Sequence, residues 1–283
     1  MNLVADSGST KTHWALLDAG IHKKTIHTPG LNPYFHDSES VEAILIADLI
    51  PVLVPDHIRE IHFYGAGCST ENNNNMLKEA MQIYFRKASV HVYHDILGAA
   101  RALLGKGEGI ACILGTGCNC CYYDGNKIWS RVPSLGFLFG DEGAGSNLGK
   151  RLMESYLKGR LPEDLRKEFD RTYNLSLEDY LNAFYNRPFP NRFLASFSDF
   201  IAPRQDHPYL HDLVKSSFDA FFEEQVKKYD NYRKLTVSFT GSIAFHYKNI
   251  LLESAKEQKI KTGIILQSPL EGLIKYHMND LRF

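Results

Sequence analysis

Near the start of the chain, Asp6-Ser7-Gly8-Ser9-Thr10-Lys11-Thr12 follows the apolar run Leu3-Val4-Ala5. The stretch sets a carboxylate, a glycine, several hydroxyls and an amine within one tight turn. Backbone N–H groups around a glycine line a concave anion site, and hydroxyls and a lysine add donors to it. A carboxylate repels a bare phosphate, so Asp6 calls for a hydrated cation between the two. A polar β-turn with an incidental lysine is the other reading of so short a motif. A Walker-type loop needs glycine before Lys-Ser/Thr and a helix after it. Here Thr10 precedes Lys11, and strand formers follow as far as Asp18-Ala19-Gly20. The turn is therefore expected at the bend of a β-hairpin.

Other constellations stand further along. Asp95 closes Tyr93-His94-Asp95 at the end of a strand pattern and the start of a helical one. An acid there lies at the mouth of an α/β sheet, where ligands bind. It can take a hydroxyl proton during phosphoryl transfer, or it can simply cap the helix. His94 is expected to pack or to lie at the surface. Gly140-Asp141-Glu142-Gly143-Ala144-Gly145-Ser146 offers two acids framed by glycines, suited to holding sugar hydroxyls or to opening a helix. Asn32, in the turn-rich Thr28 to Tyr34 loop, can donate to and accept from a hydroxylated ligand. Small residues at Gly241-Ser242-Ile243-Ala244 leave room for a flat base against the backbone.

The elements that must carry these residues read as α/β. Strands are expected over 2–6, 12–18 and 22–28 with no helix between them, an antiparallel meander. Helix 38–49, strand 61–64, helix 71–86, strand 90–93 and helix 96–104 follow. The Gly105 to Gly109 stretch is a flexible break and marks the expected domain boundary. The pattern then restarts: strand 109–114, the turn Gly115-Thr116-Gly117-Cys118-Asn119, a second strand, and the hairpin signal Asp124-Gly125. Aligning Asp6 with Gly115 makes this an echo of residues 3–20. A helix is expected over 143–158 and helical patterning over 160–230, broken at Pro162, Pro188, Pro190, Pro203 and Pro208. Strand 235–240, a helix from about 243, strand 260–266 and a last helix at 269–278 complete the reading.

Composition bounds the function. The 283 residues include 32 basic and 33 acidic side chains, so an electrostatic grip on nucleic acid is not indicated. No apolar run reaches membrane-spanning length, and the N-terminus opens into a strand without a signal pattern. A soluble, cytoplasmic protein is expected. Cys68, Cys112, Cys118, Cys120 and Cys121 are odd in number and lack a second ligand doublet for zinc. Buried reduced thiols are expected.

In order and spacing, Asp6-Ser7-Gly8-Ser9-Thr10-Lys11, Asp95, Gly115-Thr116-Gly117 and Gly241-Ser242-Ile243-Ala244 resemble the sugar kinase, Hsp70 and actin superfamily of ATP-binding proteins. Gly140-Asp141-Glu142-Gly143 narrows the resemblance to the N-acetylglucosamine kinase branch, grouped with BadF/BadG-type ATPases. It spans nearly the whole chain. It implies two ribonuclease-H-like domains of the actin-like ATPase fold, 1–107 and 108–268, with a cleft between them, a helical insertion near 160–230, and residues 269–283 returning to the first domain. It implies ATP and Mg²⁺ as cofactors, with Ser7 to Lys11 as first phosphate motif and Asp6 near the metal through water. Gly115, Thr116 and Gly117 form the second phosphate turn, and Gly241 and Ser242 the adenosine side. Asp95 falls at the catalytic base, Asn32, Asn119 and Asp141 at sugar hydroxyls, and Tyr34 at a wall near an acetamido group. Cys118 stands where the family commonly has serine. The activity implied is ATP-dependent phosphorylation of an amino sugar, N-acetylglucosamine at its 6-hydroxyl. The partners are that small sugar and ATP, with no nucleic acid or membrane, and a homodimer is allowed. An ATPase activating a partner enzyme, or a nucleotide- or sugar-binding regulator without catalysis, are the alternatives.

Overall fold

A computed structural model of the chain describes residues 1–280, with the side chains of 279 and 280 left aside. By backbone contacts the chain divides into two units: residues 1–107 with 124–128 and 268 onward, and residues 108–123 with 129–267.

In unit 1, β1 (Asn2–Ser7), β2 (Lys11–Asp18) and β3 (Ile21–Pro29) form the antiparallel meander, and β4 (Glu60–Gly65) and β5 (Ser89–His94) extend it in parallel on the other side of β1. The strand order is β3-β2-β1-β4-β5. Alternation along β1 and β2 sends Leu3, Ala5 and Trp14 to one face, where they pack with Phe63, Leu77 and Met81. Helix α1 (Ser38–Ile44) opens on an Asp37 cap and continues as a π turn over Leu45–Leu49, which carries the apolar stripe as far as Pro51. Helix α2 (Glu71–Tyr84) is capped by Thr70. Helix α3 (Asp95–Leu104) is capped by His94, not by Asp95: His94 is extended, and its Nδ1 accepts the Ile96 N–H. Asp95 is the first residue inside the helix.

Unit 2 repeats the topology. Strands β6 (Gly109–Leu114), β7 (Cys118–Tyr123) and β8 (Ile128–Arg131) lie side by side, and β9 (Val237–Thr240) and β10 (Thr262–Leu266) join β6 in parallel. Both sheets have five strands in the ribonuclease-H-like order. Between β8 and β9 the chain forms α4 (Gly136–Phe139), α5 (Gly145–Leu157), α6 (Glu163–Tyr173), α7 (Leu177–Tyr185), α8 (Pro190–Ser196), α9 (Ser198–Ile201) and α10 (Pro208–Glu224). Pro190 and Pro208 are first residues of their helices, where a missing N–H costs nothing. Helices α11 (Ser242–His246) and α12 (Lys248–Glu257) connect β9 to β10.

The last helix, α13 (Leu270–Asp280), packs in unit 1 on α3 and across β1 and β2. Leu270, Leu273 and Ile274 cover Val4, Ala15 and Leu17 on the sheet face opposite Trp14. Residues 281–283 of the expected returning segment lie outside the described residues. All five cysteines are free and buried, and burial pushes the Cys68 thiol up to about 12. Among the described residues no helix is long and apolar enough to cross a membrane.

Candidate active site

The β1–β2 hairpin places the phosphate-type turn as expected. Ser7 pairs with Thr12, and the Gly8 N–H reaches the Lys11 carbonyl at 3.0 Å, leaving Ser9 and Thr10 at the tip. The loop after β3 props this turn from below. Gly30 donates its N–H to Thr10 O at 3.1 Å, and a Cβ on Gly30 would sit 2.4 Å from Gly8 O. Asn32, 5% exposed, donates from Nδ2 to Ser9 Oγ at 2.8 Å and accepts the Tyr34 N–H at 3.0 Å. Asn32 thus touches the turn directly.

Ser7 does not serve the turn with its side chain. Thr12 Oγ1 donates to Pro29 O, so the 2.8 Å contact with Ser7 Oγ uses the Ser7 proton, and Ser7 Oγ in turn accepts the Leu31 N–H at 3.1 Å. The buried Ser7 hydroxyl is fully committed to joining β1, β2 and the loop.

Two acids stand at the carboxyl ends of the parallel strands. Asp6, partly buried, accepts a hydrogen bond from Ser268 Oγ at 3.3 Å. Loss of hydration, and next the charge of Asp95, push its carboxyl up to about 7 against the pull of Ser268 and Lys11. His94 Nδ1 lies 2.5 Å from Asp95 Oδ1 without forming a hydrogen bond, so that buried oxygen has no donor. The loop after β4 completes the rim: the Ala66 N–H donates to Ser7 O at 2.8 Å, and Gly67 lies so near Asn32 that a Cβ there would be 2.3 Å from Asn32 Oδ1. Sequence reasoning passed over Gly65-Ala66-Gly67 and Ser268. The paired glycines at a strand end were the available signal for the loop; nothing in the sequence pointed to Ser268.

In unit 2, Leu114 pairs with Cys118 and the Gly115 N–H meets the Gly117 carbonyl at 3.0 Å. This turn is one residue shorter than the first. By register, Ser7 corresponds to Leu114, so Asp6 matches Ile113 instead of Gly115. The N–H groups of Gly145 and Ser146, opening α5, donate to the carbonyls of Gly115 and Thr116 at 2.8 and 3.0 Å. Asp141, 6% exposed and at a positive φ of 59°, accepts the Cys118 N–H at 3.0 Å and the Ser146 hydroxyl at 3.2 Å, one on each oxygen. Its carboxylate faces Gly117, where a Cβ would approach to 2.9 Å. Asp141 therefore braces the turn. The acid of this loop with an unmet buried oxygen is Glu142, at Oε2. Gly241 has φ 115° and would press a Cβ to 2.3 Å from Leu114 O, which puts the β9–α11 corner against the same turn. Ser242 is exposed at the start of α11. Asn119 uses Oδ1 locally, on the Cys120 N–H.

Tyr34 is 63% exposed, with its hydroxyl 3.3 Å from Ser69 Oγ, and lines an open cavity of about 490 Å³ with Phe35, His36 and Asn72. A second cavity of about 410 Å³ lies along β5 and α2. Neither is lined by Asp6 or Asp95. Asp6 is marked instead by its raised carboxyl, and Asp95 by its buried oxygen without a donor.

Two α/β units with the same five-strand order define a protein of the actin-like ATPase fold. The structure of the "putative N-acetylglucosamine kinase" of Porphyromonas gingivalis matches with 43% sequence identity, a TM-score of 0.95 and 99% of each chain covered. The chain belongs to the N-acetylglucosamine kinase family of ATP-dependent sugar kinases. A Chromobacterium violaceum protein of the same description matches at 15% identity, covering 97% of this chain and 98% of the other, with a TM-score of 0.70. A glucokinase of the ROK family from Streptomyces griseus, solved with glucose and AMPPNP, matches at 14% identity over 97% of each chain with a TM-score of 0.57. These two show the fold alone. No family model and no curated protein sequence matches the chain.

Proposed function

We propose that this protein transfers the γ-phosphoryl group of ATP to the 6-hydroxyl of an amino sugar, with N-acetylglucosamine as the substrate. The observation that carries the reading is Asp95 Oδ1, a buried carboxylate oxygen at the mouth of the sheet without a hydrogen-bond donor. A sugar hydroxyl is such a donor. Asp95 accepts its proton as the oxygen attacks phosphorus, and so acts as general base. Asn32 orients the sugar while tied to Ser9 in the phosphate turn. Backbone N–H groups at the tip of the first turn, Ser9 and Thr10, together with the Lys11 ammonium, hold phosphate oxygens, as do those of Thr116 and Gly117 in the second, while the Gly8 and Gly115 N–H groups close the turns. Gly241 and Ser242 flank the adenosine. Asp141 takes no sugar hydroxyl in this scheme; it keeps the second turn in shape.

Magnesium fits the residues present. Asp6 carries a charge that burial and Asp95 both oppose, which a divalent cation would offset. Among the described residues no group of three His, Cys, Asp or Glu side chains forms a cage. Mg²⁺ relies on few carboxylates, with water and phosphate as its other ligands, so Asp6 through water suffices to hold it. When bound, the ion withdraws charge from the transferring phosphoryl group.

Replacing Asp95 by Asn tests the assignment. The expected result is a fall in kcat of about 10²–10⁴-fold, the usual contribution of a general base, with ADP affinity by calorimetry within about threefold of wild type. Near-normal turnover in that variant removes Asp95 from the mechanism.

A further inference from the structure

We propose that Ser268 is a positioning residue for Asp6, fixed in place by the helix that it opens. The proposal rests on the reading above, in which Asp6 faces a metal-bound nucleotide. Ser268 is the first residue of the chain's return to unit 1, 262 positions from Asp6 in sequence. Its hydroxyl does two things at once: Oγ donates to Asp6 Oδ2 at 3.3 Å and accepts the Leu270 N–H at 3.3 Å. Because the lone pair is held by the first turn of α13, the proton is directed at the carboxylate.

The helix behind Ser268 is anchored along its length. Gly272 lies so close to α3 that a Cβ there would be 2.4 Å from Ala102 O. Near the far end, the Tyr64 hydroxyl accepts from Arg101 Nη1 at 2.7 Å and shares a hydrogen bond with His277 Nε2 at 3.0 Å. The Arg101 guanidinium also lies over the rings of Tyr64, Tyr93 and Tyr276. Strand β4 and helices α3 and α13 are thereby joined at one point, so Ser268 presents its hydroxyl from a rigid element. A carboxylate that binds metal through water must hold one orientation, and outer partners that fix such groups matter nearly as much as the ligands.

The experiment uses the full chain with Ser268→Ala, Ser268→Thr and His277→Gln. It reads kcat, the sugar KM, Tm, and the dissociation constant of Mn²⁺–ADP by electron paramagnetic resonance. Ser268→Ala is expected to lose about tenfold in both kcat and Mn²⁺–ADP affinity, as is typical of outer-partner loss, with sugar KM within about twofold. Ser268→Thr keeps the hydroxyl and is expected to restore both to within about twofold. His277→Gln loosens the same helix but keeps the Ser268 hydroxyl, and is expected to lower Tm while costing less Mn²⁺–ADP affinity than Ser268→Ala does. The proposal is overturned if Ser268→Ala keeps its Mn²⁺–ADP affinity, or loses no more than His277→Gln at a comparable fall in Tm. If wild type phosphorylates no sugar, the kinase reading fails and the Mn²⁺–ADP constants still decide the role of Ser268. Wild type that binds no Mn²⁺–ADP overturns both.

Discussion

Asp6 is a carboxyl that titrates near neutrality, and this makes folding depend on pH in an uncommon direction. An aspartate in the unfolded chain ionises near pH 4, whereas in the folded unit burial and the charge of Asp95 hold Asp6 to about 7. Between those values the folded state keeps a proton that the unfolded state has lost, so stability falls as pH rises through the window. A shift of that size corresponds to about 4 kcal/mol at most. Ligand-free Asp6→Asn is therefore expected to be more stable than wild type at pH 8, by up to about 4 kcal/mol, with the gap closing toward pH 4. Urea unfolding at the two pH values measures it, and equal stability at pH 8 contradicts this account of Asp6. Residue types in this turn were legible from the sequence, but their individual duties were not. Whether the Ser7 hydroxyl is available depends on Thr12, Pro29 and Leu31, and Asp141 is claimed by an N–H 23 positions away. Such partners are set by the fold and leave no local pattern.

At the scale of elements, glycines set how closely one loop can support another. Gly30 allows the loop after β3 to lie under the phosphate turn, and Gly67 allows the loop after β4 to lie against Asn32. Gly30→Ala forces its methyl onto backbone and must shift the turn. The expected result is a loss of about tenfold or more in ATP affinity, the range seen when a supporting group is displaced, with sugar binding less affected. Gly67→Ala, strained also by its φ of 83°, meets the Asn32 carboxamide, so the sugar KM is expected to rise more than the ATP KM. Calorimetry with ADP and steady-state kinetics separate the two; identical effects on both substrates contradict the division of labour between these loops. The meander and the strand–turn–strand restart were readable from alternation and turn residues. The one-residue difference between the two turns was not, because it is fixed by strand register. The π turn after α1 and the His94 cap escaped for a related reason: both are choices of backbone geometry among residues that fit either form.

Over the whole molecule, one strand order appears twice, and each unit has its own buried core. Pro162, Pro190 and Pro208 mark starts of helices in residues 160–230 that build the larger core of unit 2, around Phe169, Phe200 and Phe218, and this stretch carries packing where the sequence offered no motif. The last helix shows how far apart in sequence the parts of one unit stand: Leu270, Leu273 and Ile274 cover Val4 and Leu17. Deleting residues 268–283 uncovers that face, and urea unfolding is expected to show a loss of about 3 kcal/mol or more, since several large apolar contacts vanish together. The central claim, ATP-dependent phosphorylation of an amino sugar, is tested most directly by following ADP release over a panel of sugars and locating the phosphate in the product by ³¹P NMR. The account predicts sugar-dependent release, fastest with N-acetylglucosamine, and a phosphomonoester at its 6-position. ADP release that proceeds equally well without sugar, or ATP binding with no turnover on any sugar, contradicts it.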